Sequence, residues 1–509
     1  MKYKFRHTKL ILGLLAASLS FQPAWPQNSV LPSLGDGEGI SLAAERKLGD
    51  RIARELYRDP DYLEDPVLDE YIQRLWGPLV KSASARGELS PELQERFAWR
   101  ILLGRDRSVN AFALPGGYLG VHLGLIAVVS THDELASVLA HELSHVTQRH
   151  IARSMGEQGK TTPWVIGSLI LGVLAASKSA QGAQAMIVGG QAAAIQSQLS
   201  YSRDMEREAD RVGYGVMSEA GYDPQGFVGM FGKLQQAAGL NDNGAYPYLR
   251  SHPLTTERIA DMQARLQLSA TSTRPVVDVE QAMLSARARV LSQGDVDAWR
   301  SSTHTSRVNL PQATAATRAG IWYGATLAHM QLKDYAAAER SLQNLERVVS
   351  GQAAPSRLAT LLRVELAMVQ NHWQAAWQVL APAGQAAKLR RPELIAAAQA
   401  LIHLPASPAR TEVLRQLREH VQNHPLDAQA WNTLANLLAV EGQALPSLRA
   451  EGEAQMARMD WQGAIDRFRA AQDWAKSHQL QAGDHIEASI VDTRLRHAQA
   501  LMREVQAER

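Results

Sequence analysis

The feature that most constrains this chain is a pair of histidines one helical turn apart, within residues 141–145 (HELSH). Residues 133–146 keep the apolar spacing of a helix, and Thr131 or Asp133 can cap its start. His141 and His145 differ by only about 40° around the helix axis, so both imidazoles can reach one ion. Glu142, about 100° away, can take a proton from water bound to that ion. The spacing therefore predicts half of a zinc site with a general base beside it.

A third protein ligand has to come from outside this pair, because a catalytic zinc site needs three protein ligands and one exchangeable water. His150 stands nine residues after His141, on the opposite side of a continuous helix, and we set it aside as a ligand. The long metzincin motif would need glycine at 148 and histidine at 151, where the chain has Gln148 and Ile151. The metzincin class is therefore excluded.

Residues 205–210 (MEREAD) offer a better source of the missing ligand. Glu206 and Asp210 are spaced i and i+4, so both project from one face of a helix. One carboxylate can bind the metal while Asp210 orients a zinc-bound histidine through the other ring nitrogen. The same spacing is also typical of a charged helix surface, and spacing alone leaves both interpretations open.

The N-terminus has the pattern of an export signal, predicted over residues 1–26 with cleavage near Ala24. Basic residues precede an apolar run at residues 10–19, which is shorter than the roughly 20 residues that span a bilayer. The absence of cysteine excludes a lipidated cysteine and disulfides. With 53 Lys and Arg against 51 Asp and Glu, no charge excess points to nucleic acid. These features predict a soluble periplasmic protein.

The composition changes near residue 275 and divides the mature chain in two. Residues 27–270 mix helical patterns with a strand-like stretch, whereas residues 306–509 are rich in Ala, Leu and Gln and almost wholly helical. A polar run at residues 269–275 ends in proline, so we predict a linker over 271–305. The expected architecture is a zinc metalloprotease domain followed by a helical domain.

A recurring pair of an aromatic residue and an alanine three positions later marks the second half. The intervals between the three pairs are 38 and 88 residues, the second about twice 44, which favours degenerate tetratricopeptide repeats over an ordinary helical bundle. The pairs are Tyr335 with Ala338, Trp373 with Ala376, and Trp461 with Ala464.

Two further segments bear on substrate access. Residues 110–118 (NAFALPGGY) predict a strand running into a turn, either an edge on which an extended peptide could pair or an ordinary core strand. Residues 163–176 are almost continuously apolar but too short to span a membrane. They predict either a buried helix or a lid that meets apolar substrate or a membrane surface.

Residues 137–150, 206–213 and 251–258 together resemble the periplasmic beta-barrel assembly-enhancing proteases of Gram-negative bacteria. The resemblance covers nearly the whole mature chain. It implies a mainly α fold, with an α+β, gluzincin-like protease domain that contains a small sheet and a C-terminal α-helical tetratricopeptide repeat domain. It also implies one Zn²⁺ per chain.

The resemblance also assigns roles to individual residues. It implies that the metal ligands are His141, His145 and Glu206, the last in preference to Glu208, and that Glu142 and Asp210 serve catalysis. His252, in the loop before Pro253, is implied as a fourth zinc ligand that blocks water activation in a resting state. Arg258 is implied to lie near the metal, where it could support the transition state.

Two functions follow as expectations from the resemblance. In the first, the protein is a periplasmic endopeptidase and chaperone that degrades misassembled outer-membrane barrel proteins. In the second, it is mainly a protease-silent chaperone or adaptor that docks on the barrel-assembly machinery through its repeats. Both expect barrel proteins and that machinery as partners, with peripheral membrane contact and no nucleic acid. The complete set of His141, Glu142, His145 and Glu206 favours the enzyme.

Overall fold

The computed structural model describes residues 40–157, 201–239, 246–268, 278–304, 311–386 and 388–507. Within them the chain is mainly α-helical with one sheet of four short strands, which confirms the predicted fold class. The predicted signal peptide, the apolar stretch 163–176 and the polar run 269–275 lie outside these residues. No helix in the described ranges is long and apolar enough to cross a membrane.

The part of the chain up to residue 268 forms the sheet and the helices packed around it. The strands are β1 (Tyr62–Leu63), β2 (Arg100–Gly104), β3 (Ala111–Leu114) and β4 (Tyr118–His122). The helices are α1 (Leu42–Arg58), α2 (Pro66–Ala85), α3 (Pro91–Arg96), α4 (Leu123–Val128), α5 (His132–Thr147), α6 (His150–Glu157), α7 (Arg203–Glu219), α8 (Gln225–Gly239), α9 (Tyr248–Ser251) and α10 (Thr256–Leu268).

The sheet has the strand order β1-β2-β4-β3, in which β2 and β4 run parallel and the two outer pairs run antiparallel. Strand β3 therefore lies at an edge. The turn from β3 to β4 needs Gly117, which has φ of +85° and where a Cβ atom would lie 2.8 Å from Cβ of Phe97. The strand expected within residues 110–118 is present as β3, at the edge rather than in the middle of the sheet.

Helix α5 is the helix predicted to bind zinc. Its N-terminus is capped by Thr131, whose hydroxyl accepts a hydrogen bond from the N–H of Glu134 at 3.2 Å. All residues from Glu134 to Thr147 are buried, because the helix packs against α2, α7, α8 and the edge strand β3. The site residues on α5 are therefore held by packing on several sides.

The remainder of the described chain is wholly helical and forms successive antiparallel hairpins. Its helices are α11 (Val279–Leu291), α12 (Val296–Thr303), α13 (Ala315–Gln331), α14 (Tyr335–Val349), α15 (Ala353–Val369), α16 (Trp373–Ala386), α17 (Arg391–Ile402), α18 (Pro408–Asn423), α19 (Ala428–Val440), α20 (Ala444–Ala457), α21 (Trp461–Ser477) and α22 (Ala482–Ala507).

The aromatic and alanine pairs mark the starts of helices α14, α16 and α21. Each aromatic is the first residue of its helix, and each paired alanine is fully buried. A residue with positive φ stands two positions before each aromatic and closes the hairpin turn. A doubled 44-residue interval would place an intermediate unit near residue 417, but Leu417 lies inside α18. The hairpins are observed, and their tetratricopeptide type stays a prediction.

The predicted linker over 271–305 contains helix α11, whose Met283 and Leu284 are buried in the same core as the protease part. The hydroxyl of Ser285 on this helix donates to the carbonyl of Val129 at 3.1 Å. That core continues without interruption to Leu366 in α15. Helix α11 therefore packs as an integral element, and the division of the chain into domains stays a prediction.

Arg287 on α11 fixes this junction through a buried ion pair. Its guanidinium lies 2.6 Å from Asp65 Oδ2 and 3.0 Å from Glu365 Oε1, and it donates to the hydroxyl of Tyr323 at 3.2 Å. The Arg287→Ala variant would leave Asp65 buried without its partner, so we expect a loss of about 3–5 kcal/mol in the free energy of unfolding.

Urea unfolding of the full chain would measure that loss. The matched control is Arg300→Ala, because Arg300 is exposed and its ion-pair partner within the described ranges is Asp297, three residues before it. We expect the control to change stability by less than about 0.5 kcal/mol. Equal effects of the two substitutions would contradict a stabilising role for the buried pair.

Candidate metal centre

Four side chains from three separate segments converge beneath the edge strand. His141 and His145 come from α5, Glu206 lies in the first turn of α7, and His252 directly follows α9 as its C-cap residue. One ligand atom from each lies within 4.8 Å of the other three, and each residue is at most 2% exposed. The sequence placed the histidine pair in a single turn, and the fold supplies the other two groups from 61 and 107 residues after His145.

Four of the six distances between these atoms are close to those around a tetrahedral zinc ion. Zinc with ligands at about 2.0–2.1 Å holds neighbouring ligand atoms about 3.3 Å apart. His141 Nε2 lies 3.0 Å from His145 Nε2 and 3.3 Å from His252 Nδ1. Glu206 Oε1 lies 3.4 Å from His145 Nε2 and 2.9 Å from His252 Nδ1. Histidine nitrogen and carboxylate oxygen are also the donor types that zinc takes.

Glu206 reaches the histidines because α7 packs tightly on α5. Ser202 caps α7 by accepting from the N–H of Met205 at 3.2 Å. Ala209 is fully buried, and a Cβ atom on Gly213 would lie 3.1 Å from the carbonyl oxygen of Ala140. These small residues bring the two helices together, so the face carrying Glu206 is buried rather than the solvated surface that spacing alone allowed.

Glu142 is fully buried between the histidine cluster and the edge strand. Its Oε2 accepts a hydrogen bond from the backbone N–H of Ala113 in β3 at 2.9 Å. Its Oε1 lies 3.4 Å from Nε2 of His252. The carboxylate is therefore held beside the convergence point of the ligand atoms, with one oxygen facing His252.

Asp210 and Arg258 lie behind the ligands. Asp210 Oδ1 is 2.9 Å from Nδ1 of His141, the ring nitrogen that faces away from the cluster. Arg258 donates to both oxygens of Asp210, at 2.6 and 2.8 Å, and its Nη1 lies 2.7 Å from Glu206 Oε2. The Arg258 guanidinium thus contacts both carboxylates. This geometry favours a role of Arg258 in positioning the ligands over a role in contacting a substrate.

Burial and the surrounding charges shift the pKa values of the candidate ligands and so determine their protonation states. Burial alone would raise the pKa of Glu206, but His252, His141 and His145 outweigh it and hold the pKa well below its usual value. Burial lowers the pKa of His145 well below its usual value. Burial also opposes the charge on His141, but Asp210 and Glu206 outweigh it and raise that pKa to about 10. An ionised Glu206 and a neutral His145 are the forms that bind metal, and a cation would displace the proton on His141.

The prediction that His150 lies on the opposite side of the zinc helix is wrong. Helix α5 ends at Thr147, and Arg149 has φ of +53°, so the chain turns before α6 begins. His150 is fully buried, with its Nδ1 2.8 Å from Nδ1 of His145. It remains outside the group of four convergent ligand atoms. Burial lowers the pKa of His150 to about 4 despite the nearby Glu208.

Two tyrosines that the sequence did not single out enclose the cluster. The ring of Tyr201 stacks on His145, with centroids 3.8 Å apart. The ring of Tyr248 stacks on His252 at 4.5 Å. Tyr248 stands four residues before His252, at helical spacing, and that spacing was the one signal available for it.

Comparison with known proteins adds a family and several relatives. Residues 69–266 match the model of peptidase family M48. A putative beta-barrel assembly-enhancing protease from Vibrio cholerae is 34% identical over 67% of this chain and 69% of that protein. The beta-barrel assembly-enhancing protease of Escherichia coli K12 is 30% identical over 94% of this chain and 95% of that protein. The mitochondrial metalloendopeptidase OMA1 of Arabidopsis thaliana is 29% identical over 38% of this chain and 36% of that protein.

Proposed function

Since the chain belongs to the beta-barrel assembly-enhancing proteases, with an M48 peptidase domain at residues 69–266, we propose that it is a periplasmic endopeptidase acting on outer-membrane barrel proteins. Family membership makes it a zinc-dependent metalloprotease. The observation that carries the proposal is the convergence of His141, His145, Glu206 and His252 beside the buried carboxylate of Glu142.

In the proposed mechanism, His141, His145 and Glu206 would hold the metal and Glu142 would be the general base. A zinc ion bound there would supply a polarised water at neutral pH. The carboxylate of Glu142 is placed to accept a proton, and the hydrogen bond from Ala113 fixes its orientation. Asp210 orients His141, and Arg258 fixes the positions of the Asp210 and Glu206 carboxylates by contacting both. Arg258 is thereby a positioning residue in this account.

Strand β3 supplies a place for an extended peptide. Among the described strands it pairs only with β4, so its second side runs along the metal centre beside α5. Its Ala113 is in direct contact with Glu142. A peptide paired along this edge by main-chain hydrogen bonds would bring a scissile carbonyl close to the general base.

The position of His252 supports a closed resting state of the site. Its Nδ1 lies among the ligand atoms while its Nε2 faces Glu142, so the imidazole stands between the metal position and the base. In this position the His252 imidazole would compete with a water for the space between the ligand atoms and Glu142. We therefore assign to His252 the role of a fourth ligand that restrains the enzyme at rest.

The His252→Ala variant is expected to have higher peptidase activity than the wild type. A minor open state is typically populated at about 0.1–10%, so removing the block should raise the rate about 10- to 1000-fold. Hydrolysis of a quenched fluorescent peptide by zinc-loaded protein would measure it. Unchanged or lower activity, with zinc still bound, would contradict the resting-state block.

The substrate class is tested with an outer-membrane barrel protein in unfolded and folded forms. We expect zinc-loaded His252→Ala protein to cleave the unfolded form and to leave the folded barrel intact, because only an extended chain can pair with β3. The names of the relatives support this class of substrate. Cleavage of neither form by a variant that hydrolyses small peptides would contradict it.

A chaperone or adaptor role is the second candidate, and the closed, fully buried site favours it. In that case the helical hairpins dock on the barrel-assembly machinery and the metal centre stays silent. Complementation of a deletion strain by the Glu142→Gln variant would support this role. Failure of the variant to complement, at normal abundance, would favour proteolysis as the main function.

A further inference from the structure

The Nδ1 atoms of His145 and His141, which face away from the ligand cluster, contact different kinds of partner. A zinc-bound histidine ordinarily donates its second ring N–H to a carboxylate, carbonyl or water. For His141 the atom nearest to Nδ1 in the ion pair is a carboxylate oxygen, Oδ1 of Asp210 at 2.9 Å. For His145, whose Nε2 faces the ligand cluster, the partner of Nδ1 is the imidazole of His150 at 2.8 Å.

The turn after α5 creates this contact. On a continuous helix, residues five positions apart point about 140° away from each other and do not meet. Gln148 is the C-cap of α5, and the positive φ of Arg149 redirects the chain. The Arg149 side chain donates to Glu45 and to the carbonyl of Ile40. The ring of His150 thereby returns to 4.8 Å from the ring of His145, measured between centroids.

His145, His150 and Glu208 form a row of side chains in hydrogen-bonding contact. With a metal ion on Nε2 of His145, the proton of that ring would lie on Nδ1, which is 2.8 Å from Nδ1 of His150 and would donate to it. The proton of His150 then lies on Nε2, which donates to Glu208 Oε2 at 3.1 Å. Arg153 also donates to this oxygen, at 2.8 Å. The row runs from the buried cluster to the partly exposed Glu208 and Arg153.

We propose that His150 is a positioning residue of the metal centre. It fixes the tautomer and the ring orientation of His145, and Glu208 anchors it from α7, the helix that also carries Glu206. The two ligand histidines are thus held by two carboxylates of one helix, Asp210 directly and Glu208 through His150. The proposal rests on the proposed zinc function and extends it to residues that were not assigned a role.

The test compares two substitutions of His150 in the full chain. His150→Leu fills the space without any polar atom, whereas His150→Asn keeps an acceptor near the position of Nδ1. Zinc affinity is measured by competition with a chromophoric chelator. We expect about 10- to 100-fold weaker binding for His150→Leu and affinity close to wild type for His150→Asn. The visible spectrum of the cobalt(II) form should change only in the Leu variant.

Thermal unfolding of the metal-free proteins serves as the control, and we expect both variants to unfold at similar temperatures. Wild-type zinc affinity in His150→Leu would overturn the proposal. Equal weakening in both variants would also overturn it, because the role would then be packing. A wild-type chain that binds no zinc would instead contradict the proposed function, and the positioning role would fall with it.

Discussion

The Glu142→Gln variant is expected to retain zinc and to lose peptidase activity by about 10²- to 10⁴-fold. Glutamine has nearly the same shape, and its carbonyl oxygen can still accept the hydrogen bond from Ala113. Glu142 is not among the four convergent ligands, so we expect the substitution to leave the zinc affinity unchanged. Only the base is removed. Zinc content and peptide hydrolysis, measured on the same preparation, would check both parts.

Because His252 is proposed to restrain the wild-type enzyme, the Glu142→Gln substitution should cause a larger change in peptidase rate in the His252→Ala background. There the Glu142→Gln substitution should abolish an elevated rate rather than a low one. The matched control is Glu257→Gln, on the exposed start of α10. Loss of zinc from the Glu142→Gln protein would show that Glu142 is structural, and retained activity would exclude it as the base.

The Glu206→Gln variant is expected to lose most of its metal affinity. Loss of an outer-shell partner costs about 10- to 100-fold, and loss of a charged ligand should exceed the upper end of that range. The neutral amide also leaves Arg258 without one of its two carboxylates. Zinc titration followed by metal analysis would measure the change.

The same Glu257→Gln variant controls for the loss of one negative charge. It should bind zinc as the wild type does. Stoichiometric zinc in purified Glu206→Gln protein, at wild-type affinity, would exclude Glu206 as a ligand and would leave Glu208 as the carboxylate to test next.

Local sequence patterns predicted the elements whose geometry depends on neighbours within one or two turns. The spacing of His141 and His145 fixed a shared helix face, and the structure has them on one buried helix. The spacing of Glu206 and Asp210 did the same for α7, but it left open whether that face was buried. Packing of Ala209 and Gly213 against α5 decides this, and periodicity alone does not report such packing.

His150 shows where the sequence argument failed. Helical periodicity places His150 opposite His141 only if the helix is continuous, and Arg149, a non-glycine residue in the left-handed region, lies just after the helix ends. Contacts of Arg149 with Glu45 and Ile40, more than 100 positions away, accompany that conformation. Local pattern could not include them. Tyr201 was likewise missed because its stacking on His145 is a tertiary contact.

The junction between the two halves of the chain shows the same limit. The polar run at residues 269–275 led to the prediction of a linker over 271–305, but helix α11 within that range is buried against the first half. Arginine side chains are mostly exposed in proteins, and the buried Arg287 is paired with Asp65, 222 positions earlier. Such long-range pairing is invisible to composition and periodicity.

X-ray absorption at the zinc edge tests the central claim most directly, because outer-shell scattering counts imidazole ligands. For the resting wild-type protein we predict three imidazoles, from His141, His145 and His252, together with a carboxylate oxygen of Glu206. In the His252→Ala protein we predict two imidazoles and an additional oxygen from water. A wild-type spectrum with two imidazoles and a bound water would contradict the restrained metal centre proposed for this protein.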